Sequence, residues 1–159
     1  VEGFTGAQFA LPGVVDRLRA RRESAGDALV LSAADPANPW GAVLPWPLAS
    51  PNGSDAAERA TPRALARPRR LAGTRVVLVE GRPVLYLEPG GRSLLTLAAA
   101  RDDSDDLARA VAALRAHLDY RTLRVARVDG GPARDAPVAP RLRAIGFTND
   151  GVGLALCRE

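Results

Sequence analysis

Residues 76–97 read VVLVEGRPVLYLEPGGRSLLTL, three apolar runs parted by two turns. Val76 to Val79, Val84 to Leu87 and Ser93 to Leu97 are short and rich in Val, Leu and Tyr, as strands are. Glu80-Gly81-Arg82 and Pro89-Gly90-Gly91 hold the turn formers between them, so the stretch predicts an antiparallel meander. A sheet of short hairpins exposes its edges unless it curls. The expected class is therefore α+β: an antiparallel, partly closed barrel-like sheet with two or three peripheral helices.

Toward the C-terminus, Asp102 to Asp106 place four carboxylates around Ser104, the composition of a solvated helix start. Leu107, Val111, Leu114 and Leu118 then recur at helical spacing. Leu123 to Val128 reads as a strand, Pro137 to Ile145 as a short helix stopped at Gly146, and Val152, Leu154 and Leu156 alternate as a last strand. Toward the N-terminus, Leu48 to Gly73 turns to Ser, Pro, Asn, Gly and Ala and then to arginine. This predicts a long loop, mobile between Ala49 and Thr61. Ala28 to Ala34 reads as a buried strand broken at Asp35-Pro36, and Trp40 to Leu44 as a second short strand ended by Pro45 and Pro47. A helix is expected from about Pro12, with Gly26 as its stop. VEGFTGAQFALPG at the start resembles half a hairpin, and the chain holds no methionine; both predict a piece of a longer protein.

A chain of 159 residues has room for a real core without covalent staples. All 22 basic residues are arginine, the net charge is +4 and the sequence pI is about 10.4, which permits contact with nucleic acid without demanding it. One cysteine, Cys157, allows no intrachain disulfide and fits a reducing compartment. Neither a signal peptide nor an 18-residue apolar run is present, which predicts a cytoplasmic parent protein and no membrane partner.

Enzyme signals are sparse. His117, the one histidine, reads as a surface residue near a helix end, and Cys157 as a buried strand residue. No ligand spacing supports a metal site, and Gly130-Gly131-Pro132 does not extend into a phosphate-binding motif. Asp150 is a candidate general base, but it stands between Asn149 and Gly151, where a turn aspartate is the plainer reading. The arginines remain. Arg63, Arg67, Arg69 and Arg70 lie with Pro62 and Pro68, either as a phosphate-binding segment or as a solvated linker. Four phosphate contacts there imply a log–log salt slope of about −3.6 on duplex DNA. Arg19, Arg21 and Arg22 form a second patch with the same two readings. Trp40 and Trp46 flank Gly41 to Pro45, for base stacking or for the core.

Ala34 to Pro47, ADPANPWGAVLPWP, resembles the "DPANPYG…LPWP" segment near the C-terminus of Lhr-type (large helicase-related) ATP-dependent DNA helicases of superfamily 2, with Trp40 for the usual tyrosine. Gly6 to Gly13 with Val14 to Arg19 is similar to their "GAQFALPGAVDRLR", and Arg67 to Gly73 to "RPARRAGA". Tyr86-Leu87-Glu88 with Gly90 to Leu95 is similar to "LYLERGGRSLLT", and Leu142 to Phe147 with Gly153-Leu154 to "LREAGF…GLRL". The resemblance implies that residues 1–27 are the tail of a winged-helix module with a connecting helix, and that 28–159 form a C-terminal β-barrel-like domain with a mobile loop at about 48–73. It implies an accessory domain, outside the motor, of a 3′-to-5′ DNA helicase in DNA repair. ATP and Mg would belong to the absent motor, and this chain would need no cofactor. Partners would be single-stranded or duplex DNA, the protein's own winged-helix and motor domains, and further copies of itself in a homo-oligomer. Two alternatives stand beside this: part of a uracil-removing glycosylase region, and an oligomerisation scaffold. Related glycosylases use a Gln-x-Gln pair, of which this chain has only Gln8.

Overall fold

A computed structural model describes residues 11–22, 28–47, 67–97, 100, 104–118 and 122–158. The structure is α+β. The expected meander is present as β2 (Arg75–Val79), β3 (Arg82–Leu87) and β4 (Ser93–Thr96), each antiparallel to the next. β1 (Ala28–Ser32) adds to the β2 side. As the edge strand it is only half covered, and Leu29 is 48% exposed, so the run expected to be buried is an amphipathic edge. Pro83 sits within β3, a central strand, where its missing N–H would break a ladder. The register shifts between Val77 and Leu78, opposite this point, and the irregularity absorbs the proline.

On one face of this sheet lies α2 (Ser104–Ala116), which packs on β1, β2 and β3. Leu107, Val111, Leu114 and Leu118 are buried as their spacing predicts, against Val77, Val79, Leu85 and Leu94. The opposite face carries Tyr86, Leu95 and Leu97, covered in part by Ala33 and Trp46. The acidic start of α2 is not wholly solvated. Asp106 is 2% exposed, with Arg82 Nη2 at 2.7 Å and Arg109 Nη1 at 3.6 Å, while Arg109 also bonds Glu80 at 2.9 Å. The chain thus ties its helix start to the β2–β3 turn.

The run Leu123 to Val128 is two strands. β5 (Thr122–Val125) and β6 (Arg127–Val128) part at Ala126, because the Arg92 carbonyl accepts from the N–H groups of both Ala126 and Arg127. β6 joins β4 in parallel, so the large sheet is mixed: β1-β2-β3-β4-β6-β7, with β7 at Gly131–Pro132. β5 instead enters a second sheet, β5-β9-β8, with β8 at Phe147–Asn149 and β9 at Leu154–Cys157. α3 (Ala139–Ala144) precedes β8, and Leu123, Leu156, Leu154, Phe147 and Leu142 turn into the common core. Among the described residues there are two sheets and no closed barrel. α1 spans Val14–Arg22.

Gly153 enters β9 where the strands divide. A Cβ there would strike the Val125 carbonyl oxygen and reach Ala126 Cα at 3.0 Å, so the close approach of two backbones requires glycine. Trp40 to Leu44 is not a strand. The Pro39 carbonyl accepts from Ala42, Val43 and Leu44, and one bridge links Trp40 to Leu44. Proline on either side and Gly41 at φ 74° favour this curled loop over an extended run.

Candidate nucleic-acid interface

Arg70 is the anchor of the loop that precedes the meander. Its Nη1 donates to the carbonyls of Asn38 (2.6 Å) and Trp40 (3.2 Å), and its Nη2 to those of Ala34 (3.3 Å) and Asp35 (3.0 Å). Asp35 O also accepts from Asn38 N at 3.0 Å and Trp40 O from Asn38 Nδ2 at 3.3 Å, and a planar guanidinium can serve several carbonyls at once. Asn38, 1% exposed, completes the knot: its Nδ2 donates to Ala33 O and its Oδ1 accepts from Trp40 N. Trp40 donates its indole N–H to Gly81 O, and Trp46 meets Tyr86 edge-on at 5.9 Å. Both rings are half-buried, which ties them to the scaffold.

Tyr86 holds the neighbouring residue. Its hydroxyl donates to Arg69 O at 3.0 Å and accepts from Arg69 N at 3.1 Å. With the backbone pinned on both sides, the side chains of Arg67 and Arg69 are exposed. The four arginines grouped by sequence therefore divide. Arg67 and Arg69 face solvent, Arg70 is engaged with carbonyls, and Arg63 lies outside the described residues. Of the second patch, Arg19 is exposed beside Asp16 at 3.5 Å; Arg21 and Arg22 fall within α1, but their side chains are outside the described set.

Asp150 closes the β8–β9 hairpin. Its Oδ1 accepts from Val152 N at 3.1 Å and Gly153 N at 2.8 Å, and its Oδ2 lies 3.4 Å from Arg124 Nε. The Gly153 N–H leads in holding its carboxyl below the usual range, with Val152, Arg124 and Arg134 adding to it against the cost of burial. A carboxylate so stabilised is a weak base. The lowered folded pKa means that Asp150 stabilises the fold above its unfolded value of about 3.9, and that this contribution is lost as pH falls through the folded value. In urea midpoints measured from pH 7 to pH 2, Asp150→Asn is expected to flatten the acid limb below about pH 4. An unchanged acid limb would contradict the turn role.

His117 is exposed at the end of α2, its Nδ1 3.0 Å from Ala113 O. Cys157 is exposed, not buried, because the strand's alternation turns it outward beside Thr122 Oγ1 at 3.8 Å. Among the described residues no three His, Cys, Asp or Glu side chains are grouped as a metal site would require. Gly130 lies in the β6–β7 hairpin turn, and Gly131 opens β7 paired with Val128. Among those residues no helix is long and apolar enough to cross a membrane.

Sequence reasoning missed one group of cations. Arg124, Arg134 and Arg143 are all exposed; Arg124 and Arg143 contact the β8–β9 hairpin at Asp150 and Asn149, and Arg134 adds to the positive field at Asp150. They come from β5, the turn after β7, and α3, so no local motif announces them.

No family model matches the chain. It is 37% identical over 161 residues to "Lhr helicase/ probable uracil glycosylase" of Mycolicibacterium smegmatis, a match covering 98% of this chain and 10% of that protein. It is 36% identical over 164 residues to "Lhr helicase/uracil glycosylase" of Escherichia coli, covering 97% of this chain and 10% of that protein. The chain spans about a tenth of the length of these curated relatives. It belongs to the Lhr-type helicase family, as a C-terminal region of it.

Proposed function

We propose that this region of an Lhr-type helicase is an accessory domain, outside the motor, that grips the DNA backbone while an ATP- and Mg-dependent 3′-to-5′ motor elsewhere in the protein works on the strand in DNA repair. Residues 1–27 join it, on this reading, to a preceding winged-helix module in a cytoplasmic protein. The observation that carries the reading is the presentation of Arg67 and Arg69. Both side chains are exposed, Arg69 on a backbone held by the Tyr86 hydroxyl and next to the Arg70 anchor, and Arg67 two residues before it. Cations held on a fixed backbone reach phosphate at a smaller cost in chain entropy than cations on a loose linker.

With Arg70 committed to carbonyls, Arg63, Arg67 and Arg69 together contribute a salt slope of about −2.7 on duplex DNA rather than about −3.6. The paired Arg67→Gln, Arg69→Gln variant is expected to remove about 1.8 of the total slope. Fluorescence anisotropy with a labelled duplex at several salt concentrations reads this directly. Binding that ignores salt would sink the reading.

A second reading, part of a uracil-removing region, is favoured by the names of both relatives, each of which joins helicase to uracil glycosylase. Asp150 is its candidate base in this chain, against the hydrogen bonds that lower its basicity. Uracil release from DNA that survives Asp150→Asn would remove Asp150 from that role.

A further inference from the structure

We infer that the β8–β9 hairpin, with Arg124, Arg134 and Arg143 around it, is a second DNA-backbone contact surface, separate from the Arg67–Arg69 segment. The inference rests on the proposed DNA-binding role.

Two of the three arginines meet consecutive residues of the hairpin. Arg143 Nη1 lies 3.4 Å from Asn149 Oδ1, and Arg124 Nε lies 3.4 Å from Asp150 Oδ2. Arg134 is close enough to help lower the pKa of Asp150. Neither measured contact uses up its cation. Arg143 meets a neutral amide, and Arg124 makes its ion pair through Nε with its side chain 78% exposed. Asp150 is the carboxylate that Arg124 contacts, and the exposed Asp135 follows Arg134 in sequence. Asp150 keeps its full negative charge, its Oδ1 held by two backbone N–H groups and its Oδ2 beside Arg124, so it offsets one cation and leaves Arg143 facing only the neutral amide of Asn149.

The platform is rigid. The Asp150 carboxylate fixes the hairpin tip, and Gly153 sits against the β5 backbone where no side chain fits. On the outer face, Arg124 pairs across β9 with Ala155, which pairs with Thr148 on β8. Ala155 itself is 5% exposed, and the exposed Arg124 and Thr148 flank it on the two neighbouring strands. Exposed planar forks suit phosphodiester oxygens, which take two parallel hydrogen bonds from one guanidinium. Val152, 78% exposed at the tip, lies outside this electrostatic contact.

The test uses the 159-residue chain and a labelled 20-nucleotide single strand, with anisotropy followed from about 50 mM to 1 M salt. The triple variant Arg124→Gln, Arg134→Gln, Arg143→Gln is expected to lower the salt slope by about 2 and weaken binding on the order of 100-fold at the lowest salt. Arg124→Lys keeps the charge and is expected to keep the slope, as is Val152→Ala. Thermal melting of each variant checks that the fold is retained. If the triple variant melts like the parent and keeps the parental slope, while Arg67→Gln with Arg69→Gln loses it, the hairpin surface is overturned and the proposed function stands. If the unaltered chain shows no salt-sensitive binding, both fail together. Loss of slope with Val152→Ala alone would also overturn it, since the contact would then be apolar.

Discussion

Arg70→Ala is expected to lower stability by about 3 kcal/mol, since each hydrogen bond from a charged group is worth about 1.5–3 kcal/mol and the half-exposed site lets water recover part of the loss. For a domain of this size that is a fall in melting temperature of roughly 10 °C. The carbonyls of Ala34, Asp35, Asn38 and Trp40 all lose a donor together. Arg70→Lys supplies a point charge without the planar fork and is expected to recover less than half of the loss. The same variant separates structure from DNA contact. Well below its melting temperature, Arg70→Ala is expected to keep the salt slope of the parent, whereas Arg67→Gln with Arg69→Gln changes the slope and leaves melting nearly untouched. A reduced slope for folded Arg70→Ala would return Arg70 to the DNA-binding set.

The second large effect is expected at Gly153. An added Cβ meets the Val125 carbonyl oxygen and Ala126 Cα, both backbone atoms that cannot rotate away. Gly153→Ala must push β9 from β5, at about 3 kcal/mol or more, the upper range for overpacking. Gly151, two residues earlier, is the control. It has φ +87° but nothing within 4 Å of its ideal Cβ. Gly151→Ala suffers only the left-handed backbone penalty of about 1–2 kcal/mol. Chemical denaturation of the pair distinguishes crowding from conformational strain. Equal losses would mean that backbone conformation, not the β5–β9 approach, sets the requirement at Gly153.

The meander and α2 were legible because their signals are local. Glycine turns punctuate apolar runs at Gly81 and Gly90, and one apolar stripe from Leu107 to Leu118 needs a single periodicity. The division at Ala126 was only half legible. Period two slips there, with Arg127 in phase with Leu123 and Val125, but the acceptor that splits the run is the carbonyl of Arg92, far back in the sequence. The parallel β4–β6 pairing has the same origin, and it makes the large sheet mixed where only antiparallel pairs were expected. β8 is three residues long, below what alternation can register. For the candidate interface, composition identified arginine as the chemistry and could not say which arginines face outward. Arg67, Arg69 and Arg70 look alike in a row, yet their fates depend on Tyr86 and on the proline-rich loop. Arg124 and Arg143 look scattered, and the fold brings both to the β8–β9 hairpin.

The order β5-β9-β8 also bears on how the molecule is made. The central strand of the small sheet is the last one in the chain. β5 leaves the ribosome with no ladder partner in that sheet, and β8 follows it in the same condition; both wait for Leu154 to Cys157. The meander can close as soon as Thr96 has emerged, because its partners are neighbours in sequence. Synthesis at about 5–20 residues per second therefore leaves an interval in which a formed large sheet carries two unpaired strands, the state most open to wrong pairing with another nascent chain.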